Sequence, residues 1–249
     1  MLLSEYAIVE AEKKEHFSPI HFLKYLTGEQ LGIFILPICN LANCQIMVYD
    51  VKKCIGGCVM TRDEFEDNCW RYYKLLEKSF VEIMTYVELD TRNYDTFSYE
   101  FVRQLQGIGA EIDSVMKVIC GFNSSDRKNT NDYCPIILGK YTDITTNEIN
   151  VQNIVIKPFE NWNAQNPTSS LFWYEAYNEI KHGRTGDFTK ANLKNVLYAL
   201  AGLYLLEMHY FQEVAQQNES DIPNRGSEIF NIRNWQTRCI SLDGAIGFT

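Results

Sequence analysis

The sequence predicts a mainly α-helical protein: an antiparallel helical bundle over residues 63–217, with an inserted β-hairpin and a small mixed region at residues 1–62. Two observations predict this class. Between residues 101 and 119, apolar side chains recur in steps of four and three, which is the spacing of one face of an α-helix. Residues 196–206 form an almost unbroken apolar run, as expected for the most buried helix of a bundle.

The first 62 residues combine short apolar runs with polar breaks. The runs at 33–38 and 45–49 have the length of β-strands, and a stretch with Pro and Asn separates them. No secretion signal is visible, because Glu5 interrupts the chain before an apolar run develops. The run at 196–206 is shorter than the ~20 residues that a membrane span needs. We therefore expect a cytoplasmic protein that does not enter a membrane.

Two amphipathic helices are predicted next. An apolar stripe predicts a first helix over about 63–89, with Asp63 as its N-cap. After a polar break, Ser98 caps a second helix, which ends at Gly121. Gly107 and Gly109 lower its helix propensity but allow a neighbouring helix to approach closely. The stripe of the first helix is Phe65, Cys69, Tyr72, Leu76, Phe80, Ile83 and Val87; that of the second is Phe101, Leu105, Ile108, Ile112, Val115 and Ile119.

The remaining chain predicts a hairpin, two more helices and a tail. Runs rich in β-formers at 136–141 and 149–156 flank a polar turn, which predicts a β-hairpin inserted at about 133–160. A third helix should begin near Ser169 or Ser170, run through Lys181 and stop at Gly183. A fourth should span about 187–217, and residues 218–249 should form a polar, partly ordered C-terminal extension.

The end of the third helix is the best candidate for chemistry. Asn178 and His182 are four residues apart and share a helix face, Lys181 flanks that face, and Arg184 follows just past the helix end. Histidine is the usual acid or base near neutral pH, and neighbouring cations can hold a phosphodiester. The set is that of a metal-free ribonuclease. In the structural alternative, His182 only complements the helix dipole and Asn178 only bonds a neighbouring segment.

An Asn-x-x-x-His pattern at the end of a third helix, followed by an apolar fourth helix, resembles the HEPN superfamily. That resemblance implies a helical-bundle protein of toxin–antitoxin or phage-defence systems. Many members are metal-independent ribonucleases that pair as homodimers around Arg-polar-x-x-x-His motifs. Asn178 matches the polar position and His182 the histidine, but Tyr177 stands where the family has Arg. Either Lys181 or Arg184 replaces that Arg, or the member is catalytically silent.

The same resemblance implies RNA as a ligand, an antitoxin or defence protein as a partner, and no cofactor. The rival interpretation is a non-catalytic dimeric interaction or regulatory module. Tyr177 in place of Arg favours that rival, whereas the cluster of Lys181, His182 and Arg184 favours the ribonuclease.

Two acidic residues on the second helix form a further candidate. Glu111 borders the apolar stripe, and Asp113 lies four residues before Lys117. We expect Glu111 or Asp113 to orient a basic group across the bundle. Both can equally be ordinary charges on a helix surface.

The eight cysteines are expected to be free thiols, since no export signal is visible. Cys39, Cys44, Cys54 and Cys58 could hold zinc, but no pair has the Cys-x2-Cys spacing of zinc knuckles, so no metal is predicted. A net charge of −9 argues against a broad DNA-coating surface. Standard nucleotide-binding and hydrolase motifs are absent from the sequence.

Overall fold

The structure, a computed structural model, describes residues 34–40, 43–49, 60–183, 188–216, 219–240 and 246–248. The chain divides into two compact units, Met1–Val59 and Met60–Thr249. In the first unit, strands β1 (Phe34–Asn40) and β2 (Asn43–Tyr49) pair antiparallel, at the two runs predicted to have strand length. Their register places Cys39 opposite Cys44. Cys54 and Cys58 lie outside the described residues.

The second unit is mainly helical, as predicted. Its helices are α1 (Arg62–Phe65), α2 (Arg71–Ile83), α3 (Tyr99–Ile119), α4 (Thr130–Lys140), α5 (Phe172–His182) and α6 (Leu193–Val214). A π-helical turn at Glu66–Trp70 joins α1 to α2, and short 3-10 helices occur at Thr91–Asn93 and Phe188–Lys190. Strands β3 (Ile149–Val151), β4 (Ile154–Ile156) and β5 (Asn231–Ile232) form an antiparallel sheet in the order β4-β3-β5. Strands β6 (Arg238–Ile240) and β7 (Ile246–Phe248) pair separately.

The predicted first helix is shorter than expected and contains a π-helical turn. Thr61, not Asp63, is the N-cap, in a capping box with Glu64, and α2 ends at Ile83 rather than near residue 89. The predicted stripe is buried on both sides of the π-helical turn, at Phe65, Cys69, Leu76, Phe80 and Ile83. Tyr72 is the exception within these helices: it is 41% exposed, and its neighbour Tyr73 is fully buried instead.

The run at 136–141 is helical, and its assignment as a strand is wrong. It forms the second half of α4, which begins with a capping box between Asn129 and Asp132. A short apolar run does not by itself distinguish a strand from a buried helix, and here the cap starts a helix just before it. The hairpin is confined to β3 and β4, whose two-residue turn places Gln152 at a positive φ of 49°.

Helices α3 and α6 carry the core. Ser98 caps α3 as predicted, accepting a hydrogen bond of 3.1 Å from the backbone of Phe101. All six apolar residues of the predicted α3 stripe are buried, which confirms that assignment. Helix α6 is buried on nearly every side and contacts α3 and α5, as its apolar composition predicts.

Helix α5 approaches α3 closely at Gly109. A Cβ atom built at Gly109 would lie 2.3 Å from the Tyr177 ring, a distance that real side chains do not reach. Gly109 therefore allows the neighbouring helix α5 to approach closely, as predicted. It lets Tyr177 lie against the α3 backbone, where the tyrosine is 2% exposed.

Gly109→Ala is expected to destabilise the protein, because the added methyl must displace the buried Tyr177 ring. Overpacking of this kind costs about 1–3 kcal/mol. Urea unfolding measures the change, with Gly139→Ala as the control, since a Cβ at Gly139 meets no atom within 4 Å. A Gly109→Ala protein as stable as the wild type would contradict this account of the α3–α5 contact.

The segment after α6 is more than a polar extension. Phe230 and Ile232 are buried in the core, and β5 adds a third strand to the hairpin. The same segment holds the fully buried carboxylate of Glu77. That carboxylate accepts hydrogen bonds from the Tyr73 hydroxyl at 2.8 Å, the Glu228 amide at 3.0 Å and the Ser227 hydroxyl, and it pairs with Lys74.

Candidate functional site

The carboxyl end of α5 presents the predicted histidine to solvent. His182 is the last residue of α5 and is exposed. Asn178, one helical turn earlier, is half-buried, and its side-chain amide donates to the backbone oxygen of Tyr174 at 3.1 Å. Arg184 lies outside the described residues. The arrangement leaves the imidazole open to a ligand, while the amide nitrogen of Asn178 is engaged within its own helix.

Asp113 on α3 anchors three side chains of α5. Its carboxylate accepts from the Tyr174 hydroxyl at 2.6 Å and from the Tyr177 hydroxyl at 3.3 Å, and it lies 3.5 Å from the Lys181 ammonium. That ammonium also lies 5.1 Å from the centre of the Tyr177 ring, within the range of a cation–π contact. Asp113 on α3 thus contacts a basic side chain of α5, while the orienting role predicted for an acidic residue stays a prediction.

Burial and the Asp113 carboxylate determine the ionisation states of Tyr174, Tyr177 and Lys181. Burial raises the pKa of Tyr177 and of Tyr174 above the ordinary value, and the charge of Asp113 raises both further. Both tyrosines are therefore neutral hydrogen-bond donors near pH 7. Partial burial acts to lower the pKa of Lys181, but Tyr177 and Asp113 outweigh it and hold the pKa above its ordinary value. Lys181 consequently stays a cation beside His182.

The residue at the position of the family arginine is part of the core. Tyr177 packs against Gly109 and donates to Asp113, so its hydroxyl is occupied inside the molecule. Lys181 is the described cation nearest in sequence to His182, and its charge is partly balanced by Asp113. The expected pair of Lys117 and Asp113 is replaced: the Lys117 ammonium donates instead to the backbone oxygens of Ser124 and Asp126.

Glu111 does not join this group. It is half-buried, and burial raises its pKa to about 7. Its charge acts on Glu207 of α6, a fully buried carboxyl that has no hydrogen-bond partner among the described residues. Burial raises the pKa of Glu207 well above its ordinary value, and Glu111 raises it further. Burial raises the pKa of the Cys69 thiol to about 12, and the charges of Glu207 and Glu111 contribute to the same rise.

Sequence reasoning missed Glu207, although one signal was present. An acidic residue within the apolar residues of α6 must either find a partner or stay protonated. His209, two residues later, is also buried, and burial lowers its pKa to about 4. Its Nε2 lies 3.0 Å from the side-chain oxygen of Asn147, and its ring stacks on Tyr141. His209 is therefore a neutral core residue and takes no part in the exposed site.

A separate cavity of about 410 Å³ lies between α6 and the following segment. Its walls include Tyr204, Met208, Ile232 and Trp235, and none of the described residues that line it is Asp, Glu, Lys, Arg or His. It does not include the residues at the end of α5.

Over the described part of the chain, no group of three or more His, Cys, Asp or Glu side chains is placed to hold a metal ion. The cysteines with described side chains, Cys69, Cys120 and Cys134, are free thiols. Within the same residues, no helix combines the length and the apolar character required to cross a membrane.

No family model matches the chain, and no curated protein or solved structure is significantly similar to it. The HEPN resemblance therefore depends on the helix pattern and on the Asn178–His182 spacing, and it stays a prediction.

Proposed function

We propose that the chain is an RNA-directed protein of HEPN type, in which His182 transfers protons during metal-independent cleavage of RNA. One observation carries the proposal: His182 is exposed at the carboxyl end of α5 instead of packed beneath another helix. The proposal includes an antiparallel bundle of α2, α3, α5 and α6, a homodimer, and a role in a toxin or phage-defence system of the cytoplasm.

Each neighbouring group has a part in this chemistry. An imidazole near neutral pH can take a proton from a 2′-hydroxyl or give one to a leaving oxygen. Lys181 stays charged and stabilises negative charge that develops on the phosphate. Asp113 and Tyr177 are positioning residues, since they hold Lys181 on this side of α5. Use of the 2′-hydroxyl as nucleophile limits cleavage to RNA.

One helix end supplies too few groups for both proton transfers. A base must activate the nucleophile and an acid must protonate the leaving oxygen, and each α5 offers a single exposed imidazole. Two copies with their α5 ends facing one shared cleft would supply two imidazoles and a lysine from each chain. The dimer is therefore part of the proposed mechanism.

His182→Gln is expected to lower the RNA cleavage rate by about 10²–10⁴-fold, because the amide cannot transfer a proton. Cleavage of labelled single-stranded and hairpin RNAs in EDTA measures the effect. Glu175→Gln is the matched control, since Glu175 is also exposed on α5 but lies in its first turn.

Circular dichroism checks that each variant folds, and sedimentation velocity gives the oligomeric state. Cleavage that is equal in His182→Gln and the wild type would overturn the assignment of His182. A wild type that is monomeric at the concentration at which it cleaves RNA would overturn the dimer.

The second candidate is a non-catalytic RNA-binding or interaction module. It is favoured by the burial of Tyr177, whose hydroxyl is bound to Asp113 and cannot replace an arginine. A wild type that binds RNA in EDTA without cleaving it would support this candidate over the ribonuclease.

A further inference from the structure

Three aromatic side chains cluster on the surface beside the carboxyl half of α5. Phe188 lies 4.6 Å from Tyr99 and 5.9 Å from Phe97, measured between ring centres. We call Phe97, Tyr99 and Phe188 the aromatic strip. Phe97 forms a β-bridge with Asn192, the N-cap of α6, which fixes the strip to the core helix.

The outer rings of the strip face solvent. Tyr99 is 84% exposed and Phe97 is 48% exposed, while Phe188 is half-buried between them and α5. An exposed aromatic face can stack on a nucleobase, and such stacking is tolerant of sequence because every base has a π-face. Phe188, which belongs to the 3-10 helix Phe188–Lys190, contacts both outer rings. These contacts restrict the movement of the outer rings before a ligand binds.

Lysines border the aromatic strip. Lys190 belongs to the same 3-10 helix as Phe188, and its ammonium lies 3.8 Å from the Glu179 carboxylate of α5. Lys194 donates its backbone amide to Tyr94, and its ammonium lies 4.8 Å from the centre of the half-exposed Phe172 ring. Lys190 follows Phe188 by two residues, and Lys194 follows Asn192, the bridge partner of Phe97, by two residues, so both backbones lie close to the strip. The exposed Asp95 beside Phe97 keeps the local charge modest.

The strip also lies near the proposed reaction site. The Lys190–Glu179 ion pair links it to α5 one turn before His182. Phe188 lies six positions after His182 in the chain, which limits the separation of their Cα atoms to ~20 Å. A few nucleotides of extended RNA cover that distance.

We propose that the aromatic strip binds unpaired bases of single-stranded RNA, with Lys190 and Lys194 contacting the neighbouring phosphates. This inference rests on the proposed function and specifies its substrate class. Two exposed rings offer far less area than the ~800 Å² that each partner buries in a stable protein interface, which disfavours a protein occupant. Double-stranded RNA is also disfavoured, since its bases are stacked and unavailable.

Tyr99→Ala is expected to weaken binding of a fluorescein-labelled twelve-nucleotide oligoadenylate by about tenfold, because one stacking platform is removed. Fluorescence anisotropy in EDTA, on the His182→Gln background to prevent cleavage, measures the dissociation constant. Tyr99→Phe keeps the ring and should bind like the parent. Tyr86→Ala is the matched control, since Tyr86 is 90% exposed but lies outside the strip.

Two further probes test the recognition of bases. The first probe is an abasic oligonucleotide of the same length, and the second is a twelve-base-pair duplex. The Tyr99→Ala substitution should not change the affinity of the parent protein for either probe. Two lysines near the phosphates predict a shallow salt dependence, with a slope of log K against log[salt] of about −1.4.

The outcomes separate this inference from the proposed function. If the parent protein and its Tyr99→Ala variant bind oligoadenylate equally well, the aromatic strip is not the binding platform. That result would not affect the role proposed for His182. A parent that binds no RNA, together with a wild type that cleaves none, would overturn both. A strip that instead holds two copies together would be revealed by Tyr99→Ala dissociating the dimer while RNA affinity is unchanged.

Discussion

Ile112→Asp is expected to destabilise the protein by about 4–5 kcal/mol or more. Ile112 is fully buried at the middle of the α3 stripe, on the helix that packs against α6. The substitution removes apolar burial and places a carboxylate in the core, where it must either stay charged without a partner or be protonated. For a domain of this size, the melting temperature should fall by roughly 10–20 °C.

Ser114→Asp is the matched control for this prediction. Ser114 is exposed on the same helix, so it receives the same charge without burial, and its free energy of unfolding should change by no more than ~0.5 kcal/mol. Differential scanning calorimetry of both variants measures the effect. Equal melting temperatures for Ile112→Asp and Ser114→Asp would mean that the α3 stripe does not face the core.

Glu207→Gln is expected to stabilise the protein increasingly as the pH rises above about 5. The folded-state pKa of Glu207 is raised by burial, and then by Glu111, whereas the unfolded chain has the ordinary value near 4.5. Between these two pKa values, unfolding releases a proton, so the stability of the wild type falls as pH rises through that window. One such group changes the free energy of unfolding by about 1.4 kcal/mol per pH unit.

Urea unfolding at several pH values from 5 to 8 tests this prediction. The difference between wild type and Glu207→Gln isolates Glu207, because Glu111 adds a slope of the same sign to both proteins until its own pKa near 7. Glu175→Gln, at an exposed position of α5, should leave the pH dependence unchanged. If the free energies of unfolding of the wild type and Glu207→Gln differ by the same amount across this pH range, the pKa of Glu207 is not raised by burial.

The mainly helical fold could be predicted because its strongest signals are local. The α3 stripe, the Ser98 cap and the apolar α6 each depend on residues within a few turns of one another. The helix at 130–140 was missed because its apolar run is too short to show a period. On α2 only Tyr72 was misassigned, and it directly follows a π-helical turn that leaves no clear mark in the sequence.

The candidate site was predictable only as a spacing. Four residues between Asn178 and His182 place both on one face, and the exposed end of α5 agrees with that pattern. The anchor of Lys181 could not be deduced, since Asp113 reaches it from a helix 68 residues earlier in the chain. The aromatic strip was missed for the same reason: Tyr99 and Phe188 meet only when the 3-10 helix packs beside the start of α3.

The buried Glu77 has a consequence for the order in which the protein folds during synthesis. Two of its hydrogen-bond donors, the Ser227 hydroxyl and the Glu228 amide, come from about 150 residues later in the chain. Until residue 228 has been synthesised, packing of α2 onto the core would bury the Glu77 carboxylate without these two hydrogen-bond donors. A nascent chain on the ribosome should therefore keep α2 loosely docked, exposed to chaperones and proteases, until Ser227 and Glu228 have emerged.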